Sequence, residues 1–138
     1  MEKVAFIINP FSAKKNYQPF LTALEKKAEN PLYYISDSIE GTFDFIHENF
    51  DKIDIFVAVG GDGTISTVAQ KLINTEKILA IFPAGSGNGF SNETNFNKNL
   101  DQLLDKIKDK KSRQIDTFIV NHNLQINVSG TGFYGKVL

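Results

Sequence analysis

Cysteine and tryptophan are absent from this 138-residue sequence, methionine occurs once and proline only four times. Without cysteine there is no disulfide framework and no thiolate-based zinc site, and a reducing compartment is the simpler setting. Net charge is also nearly absent: 15 Lys and Arg stand against 16 Asp and Glu, leaving -1 at pH 7. A broad nucleic-acid footprint needs a clear basic excess, so that partner class is excluded, while a local basic patch for phosphates is not. Long apolar runs are missing. The N-terminal one, Val4 to Ile8, is stopped by Asn9-Pro10 and is too short for a signal-peptide core or a membrane span. A soluble, cytoplasmic protein is expected, with peripheral contact to a membrane surface left open. What is present is ordinary for one globular domain: 41% hydrophobic and 22% charged residues, and a chain long enough to bury a core without a metal or disulfide staple.

The uninterrupted apolar run Val4 to Ile8 suits a strand covered on both faces, and the largely apolar runs Ile53 to Val59 and Lys77 to Phe82 are read as further strands. Leu32 to Ile35 is a shorter strand candidate. Apolar residues at helical spacing mark helices over Pro19 to Glu29 (stopped by Asn30-Pro31), Thr42 to Phe50 (opened by Gly41-Thr42), Thr64 to Ile73 and Leu100 to Lys110. The segment from Asn92 to Asn99 turns polar. Gln114 to Val120 and Leu124 to Val128 follow as two strands joined by a tight hairpin at Asn121-His122-Asn123. Alternation of strand and helix argues for an α/β fold, a three-layer Rossmann-like domain with a mostly parallel sheet and helices on both faces. No Pro/Ser linker divides the chain.

Three polar turns follow strands, and in an open parallel sheet all three lie at the carboxyl edge, where ligands bind. The strongest is Gly60-Gly61-Asp62-Gly63-Thr64. Its glycines permit positive φ and let a phosphate approach the backbone, while the N–H groups and dipole of the following helix favour an anion. A carboxylate there, Asp62, is either a plain helix cap, or a group that holds Mg²⁺ through water, or one that accepts the proton of a nucleophilic hydroxyl. Gly85-Ser86-Gly87-Asn88-Gly89 is a second glycine turn, a weaker signal alone, in which Ser86 and Asn88 would donate to phosphate or ribose oxygens. In the first turn, Asn9 is a candidate for a fixed hydrogen bond, and Ser12, Lys14 and Lys15 offer a hydroxyl and two cations that either neutralise phosphate or face water. The Walker pattern and the dinucleotide glycine pattern are both absent. His47 and His122 form no convincing catalytic or metal pair, and no serine has a His/Asp set, so nucleophilic hydrolysis has no support.

Taken together, Asn9-Pro10 with Ser12-Ala13, Gly60 to Thr64, and Pro83-Ala84-Gly85-Ser86-Gly87-Asn88 resemble the catalytic domain of the diacylglycerol kinase family, which includes bacterial lipid kinases and sphingosine kinases. Asp116, Asn127-Val128 and Gly130 to Phe133 add weaker support. The glycine turn is shared with NAD kinases and phosphofructokinases, and the Pro-x-Gly-Ser-Gly-Asn turn favours the lipid kinases. The resemblance implies that residues 1–138 are an N-terminal nucleotide-binding domain, with the family's C-terminal β-rich domain absent from this chain. It implies transfer of the γ-phosphate of ATP, assisted by Mg²⁺, to a lipid hydroxyl of diacylglycerol or sphingoid type, with the acceptor site in the missing domain. Asp62 would be catalytic. Asn9, Ser12, Gly60, Gly61, Gly63, Thr64, Gly85, Ser86, Gly87 and Asn88 would line the nucleotide site, with no dedicated metal ligand among them. Ala13, Ile65-Ser66-Thr67, Gly89 and Lys136 depart from the family pattern, which keeps a catalytically inactive nucleotide-binding or interaction module of the same fold as the alternative. Truncation would expose apolar surface over Val128 to Leu138 and favour a homodimer.

Overall fold

A computed structural model describes residues 3–11, 17–83, 93–109, 113–120, 123–127 and 135–137. Their order is β1 (Val4–Ile8), α1 (Gln18–Lys27), β2 (Leu32–Ile35), α2 (Ile39–Asn49), β3 (Ile55–Gly60), α3 (Asp62–Leu72), β4 (Ile78–Pro83), α4 (Glu93–Asp109), β5 (Arg113–Val120), β6 (Asn123–Asn127) and β7 (Gly135–Val137). The strands form one seven-stranded sheet in the order β2-β1-β3-β4-β7-β5-β6. From β2 to β7 every neighbour is parallel, and β5 runs antiparallel to both β7 and β6.

The continuous apolar runs become strands because both of their faces are covered. All six residues of β3 are buried. Alternate side chains divide between two cores. Phe6, Ile8, Val57, Val59 and Phe82 pack with Phe20, Leu21 and Leu24 of α1 and with Leu100, Leu103 and Ile107 of α4. Ala5, Ile7, Phe56, Ala58 and Leu79 pack on the opposite face with Ile46 of α2 and with Val68, Ala69 and Leu72 of α3. This is the expected three-layer α/β arrangement. Phe20 anchors the first core, its ring 6.3 Å from Phe6 and 5.0 Å from Phe82. Full burial of each such side chain contributes about 1.5–3 kcal/mol.

Helix ends differ from the sequence expectation in instructive ways. α1 ends at Lys27, ahead of Asn30-Pro31, and Asn30 takes φ 48°, a left-handed conformation that Asn tolerates better than most residues. α2 begins at Ile39 rather than Thr42, because the Ser38 hydroxyl accepts from the Gly41 N–H and caps it. α3 begins at Asp62, two residues ahead of Thr64. α4 begins at Glu93 rather than Leu100, so the polar stretch ahead of the expected helix supplies its first turns. The antiparallel β5–β6 pair agrees with the expected hairpin, whose turn residues Asn121 and His122 lie outside the described residues. Part of the segment expected to expose apolar surface is a strand of the sheet. Gly135–Val137 is β7, hydrogen-bonded between β4 and β5, while residues 128–134 and 138 lie outside the described residues.

Candidate functional site

The chain runs from β1 to β2 in one direction across the sheet and then returns to place β3 on the other side of β1. This reversal leaves a crevice at the carboxyl ends of β1 and β3, the position at which open α/β sheets bind ligands. Asn9 follows β1 there and is held by three bonds. Its backbone N–H donates to the Val59 carbonyl at 2.9 Å, its Oδ1 accepts from the Phe11 N–H at 2.9 Å, and its Nδ2 donates to Thr64 Oγ1 at 3.0 Å. Because Thr64 Oγ1 is the acceptor in the last bond, its own proton is directed to some other acceptor, such as a phosphate oxygen.

Gly60 ends β3 in close contact with this pair. A Cβ built on it would lie 2.7 Å from Thr64 Oγ1 and 3.1 Å from Asn9 Cβ. Gly61 is the N-cap of α3 and supplies no capping side chain, and the first intrahelical bond runs from the Ile65 N–H to the Gly61 carbonyl at 3.1 Å. The N–H groups of the first turn are therefore left to solvent or to a ligand, with the positive end of the helix dipole behind them. A Cβ on Gly61 or Gly63 would meet nothing within 4 Å. None of Gly60, Gly61 and Gly63 has a positive φ, which corrects the expectation that conformational freedom is why they are glycine. Gly60 is glycine because of close packing, and Gly61 and Gly63 border open space. That space is bordered by the first-turn backbone amides of α3 and the Thr64 hydroxyl, a set of donors suited to an anion.

Asn9, Phe11, Gly63, Thr64 and Thr67 line one side of a cleft of about 310 Å³. Its other side was not singled out in the sequence: Ser36, Asp37 and Ser38, between β2 and α2, with Ile39 and Thr42 at the start of α2. The Ser36 N–H donates to the Ile8 carbonyl at 2.8 Å, which fastens the segment to β1. Ser36 Oγ and Thr42 Oγ1 are 2.6 Å apart, and Thr42, which is buried, also donates to the Ser38 carbonyl at 3.0 Å. The Tyr34 hydroxyl donates to Asp37 Oδ1 at 2.7 Å. That bond holds the Asp37 carboxyl below its ordinary range and raises the Tyr34 phenol above its own. Ser-Asp-Ser directly after a short strand was the available signal, since every parallel strand delivers its following turn to the same edge.

Among the expected site residues, Asn9, Gly60, Gly61, Gly63 and Thr64 are thus together at this edge. Asp62 opens α3, and its side chain lies outside the described residues, as do Ser12, Lys14, Lys15, Gly85, Ser86, Gly87, Asn88 and His122. The second glycine-rich stretch follows β4 in sequence, and the last residue of β4, Pro83, pairs with Gly60. His47 is exposed in the last turn of α2, consistent with a surface residue. Among the described residues no group of three or more His, Cys, Asp or Glu is placed to hold a metal ion, and no helix is long and apolar enough to cross a membrane.

Comparison with known proteins agrees with this geometry. The chain is 26% identical over 140 residues to a diacylglycerol kinase of Bacillus subtilis, an alignment covering 96% of this chain and 46% of the relative. It is 28% identical over 122 residues to an NAD kinase of Clostridium beijerinckii, covering 88% of this chain and 42% of that protein. A crystal structure of a diacylglycerol kinase from Bacillus anthracis superposes with a TM-score of 0.61 at 23% identity, over 89% of this chain and 47% of that one, which shows the shared fold. The chain therefore spans less than half the length of these relatives. Residues 3–120 match the family model of the diacylglycerol kinase catalytic domain, and the chain belongs to that family.

Proposed function

We propose that this chain is the ATP-binding portion of a lipid kinase, which passes the γ-phosphate of ATP to a lipid hydroxyl of diacylglycerol or sphingoid type. The observation that carries the reading is the uncapped start of α3 facing open space above Gly61 and Gly63, at the sheet reversal, in a chain of this family. ATP would supply the transferable phosphoryl group. The first-turn amides of α3 would hold its phosphates, and Thr64, aimed by Asn9, would donate to one of their oxygens. Asp62 would accept the proton of the attacking hydroxyl or contact Mg²⁺ brought in on the phosphates, and positioning and charge neutralisation would carry most of the catalysis. Gly85, Ser86, Gly87, Asn88 and Ser12 would complete the nucleotide site. In this reading the lipid site belongs to a further β-rich domain, and residues 1–138 alone bind nucleotide weakly and transfer no phosphate.

The NAD kinase relative keeps a soluble acceptor as a second reading, and an inactive module of the same fold is a third, motivated by the absence of a carboxylate at Ser66-Thr67. An amide-resolved NMR titration with MgADP tests the shared premise. Shifts are expected at Asn9, Gly61, Gly63 and Thr64, with a dissociation constant of about 1 mM, near -4 kcal/mol. A folded chain that shows no shift at nucleotide concentrations about tenfold above that value refutes the reading. In the complete protein, Asp62→Asn should abolish phosphate transfer to lipid while leaving the circular dichroism spectrum unchanged. Full retained activity would remove Asp62 from the mechanism.

A further inference from the structure

The cleft is chemically polarised. Among the described residues, the α3 end offers donors: backbone amides and the Thr64 hydroxyl. At the β2 end the Ser36 and Thr42 hydroxyls are engaged with each other and with the Ser38 carbonyl, and the charged group lining the wall is the carboxylate of Asp37. A ligand complementary to both ends is anionic at one end and carries hydroxyl or amino donors at the other. Resting on the nucleotide reading above, we propose that Asp37 is the residue that recognises the sugar, its carboxylate accepting hydrogen bonds from the vicinal 2′- and 3′-hydroxyls of the ribose.

The carboxylate is held in place for this. Tyr34 Oη donates to Oδ1 at 2.7 Å and Ser38 Oγ approaches the same oxygen at 3.3 Å, so neither side-chain bond uses Oδ2. The Tyr34 ring is itself fixed by stacking on Phe45, with centroids 5.1 Å apart and planes 12° from parallel. Gly41 leaves room for the pair: a Cβ there would collide with the Tyr34 hydroxyl and come within 2.7 Å of Asp37 Oδ1. Tyr34 is thus a positioning residue for Asp37. The carboxyl is ionised at neutral pH, as an ordinary aspartate is, and there it accepts and does not donate. β2 is the parallel neighbour of β1, with Ile35 paired to Ile8, so Asp37 is set beside the phosphate end of the cleft rather than across the sheet from it. A carboxylate beyond the second strand of a nucleotide-binding sheet is suited to ribose hydroxyls, which would meet Oδ2, the oxygen that the Tyr34 and Ser38 hydroxyls leave unused. Phe11 and Ile39, 68% and 61% exposed on the rim of the same cleft, offer apolar contact to the faces of a base.

The test compares MgADP, Mg-2′,3′-dideoxy-ADP and MgIDP by NMR titration of the chain, in the wild type, Asp37→Asn and Tyr34→Phe. Wild type is expected to bind ADP about tenfold more tightly than its dideoxy analogue, the effect of losing hydrogen bonds to a partly solvated charge. In Asp37→Asn that ratio should fall toward one, and in Tyr34→Phe to an intermediate value, with circular dichroism reporting the fold of each. Equal wild-type affinity for ADP and dideoxy-ADP overturns the proposal and leaves the nucleotide reading standing. So does a ratio of ADP to IDP that collapses in Asp37→Asn while the ratio of ADP to dideoxy-ADP does not, because the carboxylate would then be contacting the base amine. A wild-type chain that binds none of the three overturns both.

Discussion

Alanine substituted at Gly60 and at Gly63 should move stability in opposite directions, although both residues belong to one glycine turn. At Gly60 the new methyl would lie 2.7 Å from Thr64 Oγ1, 3.0 Å from Thr64 Cβ and 3.1 Å from Asn9 Cβ. Neither neighbour is a free side-chain end. Thr64 is in the first turn of α3 and Asn9 is pinned to Val59 through its backbone, so relief requires α3 to shift away from the end of β1. Overpacking of this kind costs about 1–3 kcal/mol, and loss of the Asn9–Thr64 bond adds about 1 kcal/mol. The reduced freedom of the unfolded chain returns about 0.4–1 kcal/mol. Gly60→Ala should therefore be destabilised by about 2 kcal/mol, a fall in melting temperature of about 8 °C for a chain of this size. At Gly63 the methyl meets nothing within 4 Å and φ is not positive. Gly63→Ala should gain about 0.5–1 kcal/mol and melt about 2–4 °C higher.

Ligand binding should follow a different order. The methyl of Gly63→Ala enters the space assigned to phosphate, so this more stable variant should bind MgADP at least about tenfold more weakly. Thermal denaturation with and without MgADP measures both effects. Undiminished nucleotide stabilisation of Gly63→Ala would mean that the phosphates lie elsewhere, and a Gly60→Ala variant as stable as wild type would mean that the contact with Thr64 is slack.

Thr42→Val keeps the shape of a buried residue but removes its bonds to Ser36 and the Ser38 carbonyl. A loss of about 1–2 kcal/mol is expected in urea denaturation, and a variant within error of wild type would show that water replaces both bonds. Phe20→Ala empties a fully buried site between Phe6 and Phe82. It should cost about 3–5 kcal/mol of a total near 5–15 kcal/mol, visible as a large drop in urea midpoint without a change in slope, and a drop below about 1 kcal/mol would contradict the packing described. The Tyr34–Asp37 bond predicts two pH effects of opposite sign. The Tyr34 phenol is raised above its ordinary value of 10.0, so its contribution to stability is complete below that pH and is lost as pH rises through the higher folded value. The Asp37 carboxyl is lowered below 3.8, so its contribution is present above that pH and is lost as pH falls through the lower folded value. Ultraviolet titration should find one late-ionising tyrosine that Asp37→Asn returns to the ordinary range, and an unchanged titration curve would break the link.

The parts of this fold legible in the sequence are those set by local composition. β1, β3 and β4 are covered on both faces, so each is a continuous apolar run, and the turn after each is visible as the place where the run breaks. Helix starts are less legible, because they depend on single capping bonds and not on periodicity. Ser38, with Glu40 in the first turn, marks the start of α2 once the Gly41 N–H is seen to need an acceptor, whereas apolar spacing alone moves that start to Thr42. In α4 the spacing from Phe96 to Leu100 was the remaining hint of a longer helix. β7 has no pattern to find: Gly-Lys-Val is a strand because β4 and β5 offer it backbone partners on both sides, a non-local cause. The same distinction divides the site. Gly60 to Thr64 is visible as a motif, but its Asn9 partner is 55 residues away and is joined to it only by the parallel register of β1 and β3. Ser36, Asp37 and Ser38 carry no motif, and they become part of a site because strand order reverses beside β1 and leaves the end of β2 facing the same cleft as the start of α3. Residue identity thus located the α3 end of the cleft, and topology was needed to find the opposite wall. That order also accounts for the error about the glycines, since the sequence indicates that a side chain is absent but not whether a backbone angle, a packed neighbour or an incoming ligand requires the absence.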